Sequence, residues 1–269
     1  MLHAMLKKAL TAYLHLLSDF PGKWRLLRSV GWAVDGVAVR TRYPGIALNL
    51  AVNDRTNQLC VLGQYEATVA NAVAALDVGW CFVDVGANCG LFSIMASKRV
   101  GRNGLVVAFE PCDTTFAHLK RNLRLNGTRN VIARKCAVSS SAGSARFDTS
   151  TAGHTGRYSM ATPDADTSVV VACSRIERTD RIGRTIGDRP TMVKIDVEGF
   201  EVSALRGMIE IISRPQTRTV IVEVDAANLR RFGESADTLY DILEELGFCA
   251  EIGRNHAKHY DEVFTRRSR

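Results

Sequence analysis

The chain is predicted to fold as an α/β protein on a largely parallel sheet, and three stretches carry that prediction. Phe82-Val83-Asp84-Val85 leads into Gly86-Ala87-Asn88-Cys89-Gly90, an apolar run followed by a glycine turn. Leu91-Phe92-Ser93-Ile94-Met95-Ala96 continues with good helix formers, and Val106-Val107-Ala108-Phe109-Glu110-Pro111 is a second apolar run that ends in an acid. A strand buried on both faces shows as a continuous apolar run rather than an alternation. Strand, glycine turn, helix, strand and acid together are the layout of a nucleotide-like cofactor site.

In chain order, Leu6, Leu10, Tyr13, Leu14 and Leu17 recur at helical spacing around Lys7-Lys8. That basic-then-apolar order has the outline of a signal peptide. Ser18-Asp19-Phe20-Pro21 makes a poor cleavage site, however, so an amphipathic helix packed on the domain is expected. The alternative is contact with an anionic bilayer, helped by Lys23, Arg25 and Arg28. Ala33 to Arg40 is expected to form a hairpin around Asp35-Gly36, Ile46 to Val52 a strand, and Glu66 to Leu76 a helix. Residues 1–62 then make an N-terminal helical and β extension, ahead of a domain over 63–269 whose core spans 81–252.

From Phe82 onward strands alternate with helical patterns, which implies βαβ units. Thr115 to Leu125 is the next helix and Asn130-Val131-Ile132-Ala133 the third strand. The rhythm then breaks. Ser139 to Asp166 is rich in Ser, Thr, Gly and Asp around one strand-like piece, Ala145-Arg146-Phe147, and is expected to be an excursion or flap. Strands return at Ser168 to Cys173, Met192 to Val197 and Thr219 to Val224. Ala236 to Leu246 is a helix stopped by Gly247, and Cys249 to Ile252 with Asp261 to Thr265 close the sheet as an antiparallel pair.

With 46% hydrophobic and 23% charged residues over 269 positions, the composition is that of a soluble globular domain. No run approaches the roughly 18 apolar residues of a membrane span. The net charge of +7 would suit a nucleic acid, an anionic membrane or a phosphorylated substrate, and an arginine-rich solvated surface is the plainer reading. Seven cysteines without a C-x-x-C pair read as reduced core residues of an intracellular protein, not as a disulfide framework or a zinc site. The expected location is the cytoplasm, with peripheral membrane contact as the alternative.

The glycine turn narrows the cofactor. A dinucleotide fingerprint needs G-x-G-x-x-G, because its second glycine admits the pyrophosphate against bare backbone. Here a side chain stands at that position and the last glycine comes one residue early, which argues against a pyrophosphate. The D-x-G-x-N-x-G pattern from Asp84 to Gly90 instead resembles the first motif of class I S-adenosylmethionine-dependent methyltransferases. Their ligand carries a sulfonium and an ammonium and no phosphate, so the acid at Asp84 suits it. Glu110, twenty-six residues after Asp84, can accept hydrogen bonds from both ribose hydroxyls.

Four predicted strands carry an acid at or near the carboxyl end: Asp84, Glu110, Asp196 and Glu223. In an open α/β sheet those ends share the crevice where ligands bind. If extended geometry persists from Lys194 to Glu201, period-two alternation puts Lys194, Asp196 and Glu198 on one face. Such crowding either tunes a general base or salt-bridges a strand end.

Together FVDVGANCG, AFEP and VKIDVEGFE resemble the FkbM-type family of class I methyltransferases, over approximately Gly63 to Gly247. The likeness includes Gly63-Gln64-Tyr65-Glu66 and Val222-Glu223, and departs from the family at Arg175-Ile176-Glu177-Arg178. It implies a Rossmann-like seven-stranded sheet with helices on both faces. It also implies transfer of a methyl group from S-adenosyl-L-methionine, usually to a hydroxyl of a sugar, glycolipid or other natural product. By the same resemblance Asp84, Gly86, Asn88 and Gly90 hold the methionine end of the cofactor and Glu110 its ribose. Cys136 and Ala137 lie near adenine, and Asp196 and Glu198 face the methyl or the acceptor, with Lys194 beside them.

Asp196, then Glu198, is the expected proton acceptor, a role that typically contributes about 10²–10⁴-fold. His154 in the flap is an outside candidate. No metal is expected, since nothing in the spacing demands one. The rivals are a nucleic-acid methyltransferase and a non-catalytic cofactor-binding or membrane-associated protein. Base methylation commonly uses an Asn/Asp-Pro-Pro-aromatic turn, and this chain has Asp196-Val197-Glu198-Gly199 there, so nucleic acid is not the expected partner.

Overall fold

The computed structural model describes residues 5, 8, 9, 12, 36–51, 53–149, 155, 159–160, 168–254 and 259–267. The N-terminal helix expected around 6–17 falls mostly outside the described residues, although Met5, Lys8, Ala9 and Ala12 are helical. Residues 33–35 of the expected hairpin, and His154, also lie outside them.

Strands β1 (Ala38–Arg40) and β2 (Ala47–Asn49) pair antiparallel. Their turn lies at residues 41–46, where the Tyr43 N–H donates to the Thr41 hydroxyl and the Thr41 N–H to the Ile46 carbonyl, and the Gly36 N–H extends the pairing to the Leu50 carbonyl. Helices α1 (Arg55–Leu62) and α2 (Ala67–Ala74) follow, α1 capped by the Asp54 carboxylate on the N–H groups of Thr56 and Asn57. The sequence patterns gave no sign of α1.

The chain continues through β3 (Cys81–Val85), α3 (Leu91–Val100), β4 (Leu105–Phe109), α4 (Asp113–Leu125) and β5 (Val131–Arg134). Next come β6 (Ala137–Val138), β7 (Gly143–Asp148), β8 (Ser159–Met160), β9 (Ser168–Ser174) and α5 (Arg181–Ile186). The last stretch runs β10 (Thr191–Ile195), α6 (Glu201–Gly207), α7 (Ile209–Ile212), β11 (Thr217–Asp225), α8 (Ala226–Arg231), α9 (Ala236–Glu245), β12 (Phe248–Ala250) and β13 (His259–Arg266).

Seven strands form one sheet in the order β12-β13-β11-β10-β3-β4-β5. All neighbours pair parallel except β13, which is antiparallel to β11 and β12. The chain winds outward from β3 through β4 to β5, then returns to β10 on the other side of β3. That reversal opens a crevice at the carboxyl ends of β3 and β10, where open α/β sheets take their ligands.

Apolar layers cover both faces. Phe82, Val106, Met192 and Ile221 pack with α2, α3 and the β1–β2 hairpin, while Val83, Val107, Val193 and Val220 pack with α6, α7 and α9. Residues 36–62 therefore contribute to the same core as the sheet, through Val39, Leu48 and Leu62.

The excursion expected at Ser139 to Asp166 is built into a second, four-stranded sheet, β6-β9-β7-β8. It is buried on one face only, and there only in part. Phe147, Met160, Val171 and Cys173 are buried, whereas Val169 and Val170 are exposed. That one-sided burial explains the polar composition that reads as a flap.

Candidate active site

The turn after β3 is held by backbone geometry. Gly86 has φ +83°, and a Cβ on it would lie 1.9 Å from the Asp196 carbonyl oxygen, so the loops after β3 and β10 close on each other only because no side chain intervenes. The N–H groups of Gly86 and Ala87 both donate to the Phe109 carbonyl, at 3.0 and 2.9 Å. Asn88 is left-handed, with φ +48°. Its N–H donates to Glu110 Oε2 at 3.0 Å, and the Cys112 N–H donates to Oε1 at 3.0 Å. Burial raises the Glu110 carboxyl to about 7 despite these two N–H groups, which favour its charged form.

Two residues of the motif stand behind this turn. Asp84 is 1% exposed, its Oδ2 accepting from Ser93 Oγ at 2.5 Å, and its Oδ1 is buried without a hydrogen-bond partner. Gly90 backs onto Leu119, whose Cδ1 would meet an added Cβ at 2.5 Å.

On the opposite rim, β10 ends at Ile195 and Glu198 has φ +54°, so the extended run assumed from Lys194 through Glu198 does not persist. The bend has local causes. The Glu201 carboxylate accepts from the N–H groups of Val197 and Gly199, at 3.1 and 3.0 Å, and Gly199 packs on the Asn228 backbone. Glu198 Oε2 accepts from Asn228 Nδ2 at 2.8 Å.

Lys194 is 2% exposed and lies beside Asp84 in register. Its Nζ donates to Asp196 Oδ2 at 2.9 Å, with Glu66 Oε2 at 3.9 Å. Burial opposes its charge, but Asp196, Glu66 and Asp84 outweigh it and raise the ammonium well above the usual lysine range. Lys194 is therefore placed as a buried counter-ion beside Asp196. Glu223, at the end of β11, is 7% exposed, and burial with Asp196, Glu198, Glu201 and Glu66 raises its carboxyl well above the usual range.

Residues of both rims meet in one cleft. Gly86, Asn88, Glu110, Cys136 and Ala137 line one side, and Asp196 and Glu198 the other. Asp84, Gly90, Lys194 and Glu223 are not in the lining but stand behind it. Phe109, Val138, Phe147 and Met160 add apolar wall, Tyr65 lies at the edge, and Thr155 covers the turn. The Thr155 hydroxyl donates to Asp54 Oδ2 at 2.5 Å and lies 3.1 Å from the Asn88 side-chain oxygen. The roles of Phe147, Met160 and Thr155 had no signal in the sequence, because the excursion that delivers them reads only as polar.

The Methyltransferase FkbM domain model matches residues 84–249, the span from the β3 acid to β12. The chain belongs to the FkbM methyltransferase family. Among its curated relatives is the hexuronic acid methyltransferase AglP of Haloferax volcanii, 32% identical over 177 residues, which are 65% of each chain. Methyltransferase 1 of Beauveria bassiana is 25% identical over 143 residues, 47% of this chain and 57% of that protein. The chain thus spans less than two thirds of these relatives. A SAM-dependent O-methyltransferase of Thermotoga maritima superposes with a TM-score of 0.44 at 12% identity, covering 90% of this chain and 82% of the other. Family membership agrees with the Rossmann-like seven-stranded sheet, and among the described residues no helix is long and apolar enough to cross a membrane.

Proposed function

We propose that the chain is an S-adenosylmethionine-dependent O-methyltransferase that acts on a hydroxyl of a sugar, glycolipid or other natural product. The observation that carries this reading is the meeting of the glycine-turn residues and Glu110 with Asp196 and Glu198 in one cleft. The lining suits the cofactor. Glu110 keeps lone pairs free for two ribose hydroxyls beside its two backbone donors, and Phe109, Val138, Phe147 and Met160 suit a flat apolar ring. The buried carboxylates of Asp84 and Glu66, set against the single ammonium of Lys194, leave a negative potential behind the turn that suits a cationic ligand end. When bound, the sulfonium supplies a methyl group already activated for transfer.

The protein's part is alignment and exclusion of water. Gly86 and Asn88 shape the methionine side, with Asp84 and Gly90 acting from behind the turn, and Cys136 and Ala137 border the ring. Asp196, steadied by Lys194, receives the acceptor hydroxyl and its proton, with Glu198 beside it. The hexuronic acid methyltransferase among the relatives supports a sugar as the acceptor.

The test is a screen for labelled methyl incorporation into cell extract, partitioned between lipid, carbohydrate, protein and nucleic acid. Label in carbohydrate or lipid is expected, and label in nucleic acid would overturn the acceptor class. Asp196→Asn should lower turnover by about 10²–10⁴-fold while S-adenosylhomocysteine affinity stays within about threefold. Unchanged turnover would remove Asp196 from the mechanism.

A further inference from the structure

The acids on the β10–β11 rim are arranged in a way that methyl transfer alone does not explain. One carboxylate oxygen from each of Asp196, Glu198 and Glu223 lies within 4.8 Å of the other two. Three carboxylates so close cannot all ionise without a compensating cation. The nearest buried cation, Lys194, is already divided among Asp196, Glu66 and Asp84. It occupies one oxygen of Asp196 and leaves the other.

The second observation comes from Glu223 itself. Its carboxylate is 7% exposed and aimed into this cluster, yet Oε2 is buried with no hydrogen-bond partner. His259 Nδ1 approaches only the other oxygen, Oε1, at 3.6 Å. A buried carboxylate oxygen without a donor costs the full desolvation of that group. Its neighbours across the gap are carboxylates, so the partner that fits is a cation.

We propose that Asp196, Glu198 and Glu223 form a binding site for one hard divalent cation, Mg²⁺ or Mn²⁺, at the acceptor end of the cleft. The ligand set is all oxygen, as such ions prefer. Metal–oxygen bonds of about 2.0–2.2 Å put neighbouring ligands of a six-coordinate ion about 3 Å apart and opposite ligands about 4.2 Å apart. Three oxygens within 4.8 Å of one another therefore reach a single ion when the side chains draw in by less than about 1 Å each, and the remaining positions face a cleft that Asp196 and Glu198 line. An ion there offers a place for a hydroxyl oxygen of the acceptor. The inference deepens the methyltransferase reading and rests on it for the acceptor. It replaces the expectation that no metal binds, and it makes Asp196 a ligand of the ion.

The test needs neither donor nor acceptor. Chelator-treated protein is titrated with Mn²⁺, the free ion being read by electron paramagnetic resonance, and Mg²⁺ is added as competitor. One Mn²⁺ per chain, displaced by Mg²⁺, is expected. Affinity should fall about tenfold or more in Glu223→Gln and in Glu198→Gln, each checked for folding by circular dichroism, because ligand charge sets affinity. Glu245→Gln, on the exposed surface of α9, should bind as the wild type does. No binding up to about 1 mM, or equal binding by both site variants, would overturn the site. S-adenosylhomocysteine is titrated into the same samples. Its binding without Mn²⁺ binding sinks the ion site and leaves the methyltransferase reading, and Mn²⁺ binding without it does the reverse.

Discussion

Glu110 and Glu223, one on each side of the cleft, are held in opposite ways. On the β3–β4 side, Glu110 has a backbone N–H on each oxygen. On the β10–β11 side, Glu223 looks toward Asp196 and Glu198 and has an oxygen with no donor at all. A carboxylate already held by backbone is organised before any ligand arrives, whereas carboxylates that face one another depend on what comes between them. The first rim suits a cofactor of fixed shape. The second suits charge that arrives with a ligand.

Gly86 joins the two rims, and changing it gives the largest expected effect. In Gly86→Ala the new Cβ would meet a backbone oxygen at 1.9 Å, in a backbone with φ +83°. Left-handed strain of about 1–3 kcal/mol adds to a clash that a main-chain carbonyl cannot avoid by rotating, for a total above about 4 kcal/mol. A melting temperature lower by at least about 10 °C is expected, together with loss of S-adenosylhomocysteine binding. Gly90→Ala carries similar strain, but its neighbour is the tip of Leu119, which can turn aside. It should cost about 1–3 kcal/mol. Equal losses in the two variants would show that Gly86 does not hold the rims together.

Glu110 sharpens the comparison through pH. Its folded value of about 7 lies above the ordinary 4.5, so between those values the folded chain keeps a proton that the unfolded chain has released. Its contribution to stability is present below about 4.5 and lost as pH rises through about 7. Ribose hydroxyls donate best to the ionised form, so the affinity for S-adenosylhomocysteine moves the other way. It should rise about tenfold from pH 6 to pH 8, and Glu110→Gln should flatten that rise and weaken binding about tenfold at pH 8. A wild-type affinity independent of pH would place the ribose elsewhere.

The first rim was legible in the sequence because its information is local. A five-residue buried strand, a glycine with positive φ and an acid at the end of the next strand all stand within about 30 residues, the span of one βαβ unit. The second rim was legible as acids at strand ends that share the crevice, but not in its local geometry. Asp196, Glu198 and Glu223 could each be named, but the strand alternation offered for the first two fails at Glu198, where Glu201 and Asn228 bend the loop. The approach of Glu223 to that pair depends on the partnering of β10 with β11, which local patterns do not encode. The second sheet was hidden for a related reason, since it is buried on only one side.

Thr155 tests the smallest difference, because it ties the second sheet's excursion to the first rim alone. Its hydroxyl donates to Asp54, the cap of α1, and lies against the side chain of Asn88 in the glycine turn. Thr155→Val keeps the shape and removes one hydrogen bond to a charged group, worth about 1.5 kcal/mol, or about tenfold in the equilibrium that holds the segment down. Thr155 lines the cleft, so the loss should appear in ligand release. Stopped-flow displacement of bound S-adenosylhomocysteine is expected to run up to about tenfold faster, with the melting temperature nearly unchanged and Mn²⁺ affinity unaffected. Thr155→Ser, which keeps the hydroxyl, should release at the wild-type rate. If both variants release at the wild-type rate, the excursion rests on the cleft without holding it. If Thr155→Val also weakens Mn²⁺ binding, the two rims are coupled through the excursion and do not respond separately.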